Sequence, residues 1–334
     1  MLSHCDGTVG TQLSTPSGIR TRATGVKGRR PRPLDDGGAG GEYRCPVHEI
    51  RRFADDDFDQ VFELLDTRSR AVLGSSEEER GYLRRRLDVP GTDSFVALGA
   101  GRIAGHAALG EDQEIAVCAA DARSSDALFE TVEARARERG FDHLALTAAP
   151  EDEALCSLAR RTGFVLDREI WRMWRTLDGE LAEPRWADGA TVRTYTDDDG
   201  EQVHALLDAA YAGWDRDYVA RGHEGWLAFM TQHDEFDPAL WFLVERDGAL
   251  VGCSLHWAAH QNRGWVKDIV VAEGERGRGL GRALLQHAFR AYAERGVERV
   301  GLKVDSSNPT GARQLYECVG FVTDRRYEIW TKTL

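Results

Sequence analysis

The feature that most constrains this chain is an internal repeat. Residues 47–178 and 191–334 pass through the same order of local signals, joined by a polar linker at 179–190 that carries Pro184. Each stretch opens with a short β-forming run (47–53; 191–196), followed by three aspartates, Asp55-Asp56-Asp57 or Asp197-Asp198-Asp199. Negative charge there suits the positive N-terminal end of a helix. Leu64-Leu65 and Leu206-Leu207 follow on the expected helices. A strand–turn–strand comes next, 94–98 with 102–109 and 241–246 with 249–257, where Asp247-Gly248 is a strong hairpin signal. A longer helix then ends in matching phrases, Ala136-Arg137-Glu138-Arg139-Gly140 and Tyr292-Ala293-Glu294-Arg295-Gly296. Glycine at that place marks a helix C-terminus. A strand (143–147; 300–304), a helix and a Gly-Phe pair (Gly163-Phe164; Gly320-Phe321) precede the last strand of each. The repeat predicts two tandem units of α/β (α+β) class.

Bulk properties narrow the function classes. A net charge of −13 argues against non-specific binding to nucleic acid or anionic membrane, so neither is expected as a partner. No apolar run approaches the ~20 residues that span a bilayer. The six cysteines form no CxxC pair, which argues against zinc and redox motifs and predicts reduced thiols in a cytoplasmic protein. Cys253 and Cys318 are expected in the core.

The chemistry concentrates in the second stretch. Residues 264–272 read as a strand rich in β-formers. They lead through Arg276-Gly277-Arg278-Gly279-Leu280-Gly281 into a helix with Leu284, Leu285, Ala288, Phe289 and Tyr292 on one face. A glycine loop between a strand end and a helix N-terminus aims backbone N–H groups and the helix dipole at an anion. Arg276, Arg278 and Arg282 add charge suited to phosphates. A Walker loop would need Lys-Ser/Thr after Gly281, where Arg282 and Ala283 stand, and a dinucleotide fingerprint from Gly277 would need glycine or alanine at Arg282. A second motif follows the strand at 300–304: Asp305-Ser306-Ser307-Asn308-Pro309-Thr310, then a helix carrying Leu315-Tyr316-Glu317-Cys318-Val319-Gly320-Phe321. Pro309 predicts the helix start.

Together these motifs resemble the GCN5-related N-acetyltransferase (GNAT) superfamily. Its pyrophosphate motif, Arg/Gln-x-x-Gly-x-Gly/Ala, is met by Arg276, Gly279 and Gly281, and its later motif by Asn308, Leu315, Tyr316, Gly320 and Phe321. The resemblance covers nearly all of 191–334. It implies two tandem GNAT-like domains, each a mixed, mostly antiparallel sheet flanked by helices. It implies acetyl-CoA as co-substrate and no metal. The pyrophosphate would sit on Arg276, Gly277, Arg278, Gly279, Leu280, Gly281 and Arg282. The backbone of Ile269, Val270 and Val271 would pair with the pantetheine arm, an N–H near Val270 or Val271 meeting the thioester oxygen. Tyr316 would be the general acid that protonates the departing thiolate, and Asn308 would contact the cofactor or a water. The base that takes the amine proton stays open. Asp268, beside the expected thioester, is the first choice; Glu245, His256, Asp217, Glu224 and a water chain are alternatives.

The tandem order is also similar to the mycothiol synthase group, through Phe236-Asp237-Pro238-Ala239-Leu240 and Val304-Asp305-Ser306-Ser307-Asn308. Trp265 stands nearest to where that group has an acidic residue, so that group's acceptor is not assumed here. The first stretch lacks the equipment: 118–126 has no glycine, Ala159 stands opposite Tyr316 and Glu151 opposite Asn308. It reads as a degenerate GNAT-like domain. The expected activity is transfer of an acetyl group to a primary amine of a small molecule, by direct attack in a ternary complex. Mycothiol synthase or an amino-sugar acetyltransferase is the alternative, and a non-catalytic acyl-CoA-binding regulatory module is the alternative of another class. The acceptor is expected between Gly213 and Leu240, a stretch holding Trp214, Asp215, Asp217, Tyr218, His223, Glu224, Trp226, His233, Asp234 and Glu235. The oligomeric expectation is monomer or homodimer.

Residues 1–46 differ from the rest. They are rich in Gly, Ser, Thr, Pro and Arg, have no apolar periodicity, and carry seven Lys/Arg against four Asp/Glu. Such a composition buries too little surface to offset the entropy of ordering. Gly18-Ile19-Arg20-Thr21 can be encoded by GGG ATT CGA ACC, the reverse complement of the T-arm of tRNA genes, and the following residues read as antisense tRNA. The leader is therefore expected to lie upstream of the native start. Mass spectrometry of the native protein should find no peptide from residues 1–40; one such peptide overturns this reading.

Overall fold

The computed structural model describes residues 49–76, 79–212, 222–231, 235–260 and 262–334. The leader at 1–46 lies outside them. The chain divides into two units.

The unit built mainly from the first half holds β1 (Glu49–Arg52), α1 (Phe58–Leu73), α2 (Arg80–Asp88), β2 (Asp93–Gly99), β3 (Arg102–Leu109), β4 (Glu114–Ala119), α3 (Ala122–Glu138), β5 (His143–Ala148) and α4 (Glu153–Arg161). Its strands lie in the order β1-β2-β3-β4-β5. The first three pairings are antiparallel and β4–β5 is parallel. Val61 of α1, Leu83 of α2 and Val96 of β2 form one buried cluster.

The other unit takes Leu166–Trp330 together. It holds β6 (Val165–Thr176), β7 (Ala190–Thr194), α5 (Gly200–Ala212), α6 (His223–Thr231), β8 (Phe242–Arg246), β9 (Ala249–His260), β10 (Arg263–Val271), α7 (Leu280–Glu294), β11 (Arg299–Asp305), α8 (Ala312–Cys318) and β12 (Val322–Thr333). The order is β12-β6-β11-β10-β9-β8-β7. Pairing is antiparallel through β7–β8, β8–β9 and β9–β10, parallel at β10–β11, and antiparallel again at β11–β6. Both units thus share a meander of four strands followed by one parallel partner, a mixed and mostly antiparallel sheet with helices.

The unit boundary differs from the division read at 178. β6 comes from the first of the two repeated stretches, yet its C-terminal part pairs with β11, Thr176↔Arg299 to Ile170↔Asp305. Its alternating side chains explain the placement: Met173 is fully buried in the core around α7. The segment after β6 is also engaged. Trp186 packs edge-on against His287 at 5.9 Å between ring centres, and Glu183 pairs with Arg290 at 2.7 Å.

The repeat reaches individual side chains. Arg51 on β1 grips Asp57 through two bonds of 2.6 and 2.7 Å, and Asp57 accepts the N–H of Ala54 at 2.8 Å. Arg193 on β7 grips Asp199 through bonds of 2.7 and 2.6 Å, and Asp199 accepts the N–H of Thr196 at 2.7 Å. In each unit the third aspartate of the triplet therefore ties the first strand to the first helix. Bidentate Arg–carboxylate pairing favours the ionised acid. The guanidinium beside Asp199 holds its carboxyl at about 2, and Asp57 is lowered for the same reason.

That shift sets a pH window. A carboxylate depressed in the folded state stabilises the fold above its unfolded value, about 3.9, and stops doing so as pH falls through the folded one. Asp199→Asn should cost about 2 kcal/mol at neutral pH. In denaturant titrations the gap from wild type should shrink as pH drops from about 4 toward about 2. A gap that does not change with pH would show that the ion pair is not its source.

Candidate active site

The site begins where β10 and β11 part. Their parallel pairing covers Arg263↔Arg299, Gly264↔Val300 and Trp265↔Gly301. At the last of these, Trp265 meets Trp174 of β6 edge to face, 5.7 Å between ring centres. A Cβ on Gly301 would lie 2.6 Å from the Trp265 ring and 2.7 Å from the Trp174 ring. Glycine is therefore required under the two indoles. Beyond Trp265, β10 keeps its partner β9 and β11 keeps its partner β6, so two strand edges diverge with backbone polar groups facing the gap.

The β9–β10 ladder is irregular at the same place. Its first register shift lies between Arg263 and Trp265. There the buried Tyr292 hydroxyl of α7 reaches the sheet, donating to the Trp257 carbonyl at 2.6 Å and accepting from the Trp265 N–H at 3.2 Å. Gly264 leaves the room, since a Cβ there would collide with the Tyr292 ring. The second shift lies between Val266 and Asp268. Such bulges re-aim side chains. Val266, Ile269 and Val271 join the core against α7, whereas Val270 joins the core against α5.

Asp268, only 2% exposed, also faces α5 and accepts a hydrogen bond from Tyr211 there. Lys267 Nζ stands 3.6 Å from the same carboxylate, beside the rings of Trp257 and Phe229 at 5.8 and 6.0 Å. A buried carboxylate thus lies on the cleft strand, held by a phenol and an ammonium.

Past Val271 the chain makes a short 3₁₀ turn, Glu273–Glu275, and enters α7. Gly277 and Gly279 have φ of +79° and +82°, which exclude most side chains. Gly279 is the N-cap and no side chain caps the helix. The first-turn N–H groups at Leu280, Gly281 and Arg282 therefore point outward without a helical acceptor. Arg276 Nε donates to the Val271 carbonyl at 3.1 Å and fastens the loop to the strand end. Arg278 pairs with Glu275 at 3.2 Å, and Arg246 with the same carboxylate oxygen at 2.7 Å. Arg282 is exposed on the first turn.

Across the gap, β11 leads to α8. Asp305 accepts the N–H of Ser307 at 2.7 Å and Asn308 accepts that of Thr310 at 2.9 Å. These successive side-chain turns hold the backbone out of a helical path. The helix consequently starts at Ala312 after Gly311, φ +76°, three residues beyond the start expected at Pro309. Asn308 also takes the Thr310 hydroxyl at 2.5 Å, so its carbonyl oxygen serves the turn. Tyr316 is fully buried, its ring 5.8 Å from that of Phe321.

The other expected bases sit elsewhere. His256 is sealed on the α7 side, 2.6 Å from Ser254 Oγ and against Phe242 and Tyr292. Burial lowers its pKa to about 3, so the ring is neutral. Glu245 is bound to Arg193 at 2.8 Å, and Glu224 is exposed on α6. Asp217, with Trp214, Asp215, Tyr218, His233 and Asp234, lies outside the described residues. His223 and Trp226 are described: both pack with His204 of α5, at 5.6 and 5.0 Å. Cys253 is buried as expected; Cys318 is exposed, because α8 turns Leu315, Tyr316 and Val319 inward instead. The expected site residues did not include Tyr211, Trp174 or Lys267. The adjacent Lys267-Asp268 pair inside an apolar strand was the available signal for the last.

The first-half unit presents a different helix start. Asp121 caps α3, accepting the Ser124 N–H at 2.9 Å and the Ser124 hydroxyl at 2.9 Å. A carboxylate already occupies the position where an anion would bind. Ala159 is buried without a polar group, and Glu151 is exposed.

Comparison with known proteins identifies the family. The Acetyltransferase (GNAT) family profile matches residues 201–321. A mycothiol acetyltransferase of Kineococcus radiotolerans is 34% identical over 295 residues, 80% of this chain and 92% of that protein. One of Streptomyces avermitilis is 35% identical over 178 residues, 50% of this chain. There the match spans about half of the relative's length, 54%. Among solved structures, a tandem GNAT protein from the clavulanic acid biosynthesis pathway shares the fold, with a TM-score of 0.66 at 18% identity over 86% of this chain and 98% of its own. The chain belongs to the GNAT family of N-acetyltransferases.

Proposed function

We propose that this protein transfers an acetyl group from acetyl-CoA to a primary amine of a small molecule, by direct attack in a ternary complex. The observation that carries the proposal is the continuous path from the parting of β10 and β11 to the uncapped N-terminus of α7. Acetyl-CoA supplies the activated acetyl group. The open edge of β10 at Ile269, Val270 and Val271 offers backbone groups to its pantetheine arm, and the N–H near Val270 or Val271 meets the thioester oxygen as charge develops. The N–H groups of Gly277, Gly279, Leu280 and Gly281 receive the pyrophosphate, with Arg276, Arg278 and Arg282 around them. Asn308 lies on the facing turn. Asp268 takes the proton of the attacking amine and Tyr316 protonates the departing thiolate. The first-half unit, whose helix start is filled by Asp121, is read as non-catalytic. The protein acts as a monomer or homodimer in the cytoplasm.

A second reading narrows the acceptor. Relatives named mycothiol acetyltransferase align with as much as 92% of their length, which favours the amine precursor of mycothiol. Trp265, packed on Trp174, offers no carboxylate to such a substrate. A panel that includes this amine and amino sugars separates the two.

Thiol release from acetyl-CoA across that panel tests the activity. Tyr316→Phe should lower kcat by about 10²-fold, the usual worth of a placed acid. Gly279→Glu should raise the KM for acetyl-CoA by adding negative charge at the helix start. Donor binding without turnover of any amine would favour the regulatory-module reading.

Asp268→Asn should lower kcat/KM by about 10²-fold and remove the acidic limb of its pH profile. An intact acidic limb in that variant would assign proton removal to water or to another group.

A further inference from the structure

Tyr316 lies on a helix of only seven residues, too short to hold its own shape. Something outside the helix must fix it. Its C-terminal end is met by Arg175 of β6, a strand that precedes the whole catalytic stretch in sequence. Arg175 pairs in register with Val300 of β11. Its guanidinium donates to the carbonyl of Val319, the C-cap residue of α8. A cation at that place satisfies a terminal carbonyl and complements the helix dipole.

Two further contacts define the arrangement. The guanidinium stacks 4.9 Å above the Phe289 ring of α7. Phe289 packs on Phe321 at 5.7 Å, and Phe321 packs on Tyr316 at 5.8 Å. Gly320 has φ +90°, and a Cβ there would collide with the Arg175 guanidinium. The glycine of the Gly-Phe phrase therefore admits the arginine. The backbone closes the loop: the Val319 N–H donates to the Leu315 carbonyl at 3.1 Å and the Phe321 N–H to the Tyr316 carbonyl at 2.9 Å. Arg175 is thus linked to Tyr316 along the backbone and through a row of three rings.

We infer that Arg175 is a positioning residue for the acid of the reaction: it clamps the end of α8 and so aims the Tyr316 hydroxyl. The inference rests on the role given to Tyr316 above. It also gives the first half of the chain a part in the chemistry of the second, since β6 carries the clamp.

Arg175→Met in the full chain tests this. It should lower kcat about tenfold, as small displacements of a catalytic group do, with the KM for acetyl-CoA changed less than about threefold. In a Tyr316→Phe background the same substitution should change kcat less than about twofold, because there is no acid left to aim. Amide hydrogen exchange over 312–321 should quicken in Arg175→Met. Arg175→Lys, which keeps the charge but not the flat stack, should fall between; it replaces Arg175→Met if that variant does not fold. Equal losses of kcat in both backgrounds, or unchanged kcat, overturn the positioning role. If wild type turns over no amine, the acetyltransferase reading fails by itself. Exchange then still decides the clamp, and rates unaltered in Arg175→Met overturn it.

Discussion

The site depends on two indoles over one glycine. Trp265 and Trp174 fill the space above Gly301 at the last paired register of β10 and β11. The parallel pairing ends at that register. Every later feature follows from that parting. The freed edge of β10 runs to Val271, whose carbonyl is held by Arg276. The loop fixed there ends in left-handed glycines and the bare start of α7. The same helix returns to the parting point through Tyr292, whose hydroxyl bridges Trp257 and Trp265 where the ladder slips. The cleft is thus braced at its closed end by α7, the helix whose other end faces its mouth.

The two units show what a duplicated fold keeps and what it loses. The Arg–Asp grip between first strand and first helix survives in both, with bond lengths that differ by no more than a tenth of an ångström. That grip secures the scaffold and is indifferent to chemistry. The helix start after the fourth meander strand is where they diverge. The glycine N-cap of α7 leaves its first-turn N–H groups without a side-chain acceptor; the aspartate N-cap of α3 takes that of Ser124. Asp121 stabilises α3 with a carboxylate where α7 has a bare glycine, so the N-cap residue separates the two helix starts.

Much of this was legible in the sequence because the signals are local. The hairpin at Asp247-Gly248, the glycine loop and the closing phrases at Gly140 and Gly296 each depend on φ that glycine or a turn residue supplies. The asymmetry between Gly279 and the first half could be read for the same reason. What stayed hidden is non-local. Nothing in the string Trp171-Arg172-Met173-Trp174-Arg175 shows that β6 pairs with β11, a strand more than a hundred residues later. Pro309 signalled a helix start, but the turns built by Asp305 and Asn308 delay it, and only the hydrogen bonds show the competition. The bulge at Lys267 brings Asp268 under Tyr211 by slipping one register, which alternation of polar and apolar residues does not display.

The placement of β6 changes how the tandem arrangement should be understood. A strand that merely extended a sheet would be needed for its backbone alone. β6 instead delivers Trp174 to the closed end of the cleft and Arg175 to the helix that bears Tyr316. These are neighbours in sequence and point to opposite faces of the sheet. One strand therefore touches the site from both faces, at the parting of β10 and β11 and at the end of α8. Gly301 and Gly320 make room for that strand, since a Cβ at either would force Trp174 or Arg175 to shift. The constraint falls on β6 alone, a strand that the pairing with β11 places in the unit of the second half, and it asks nothing of the strands that precede β6.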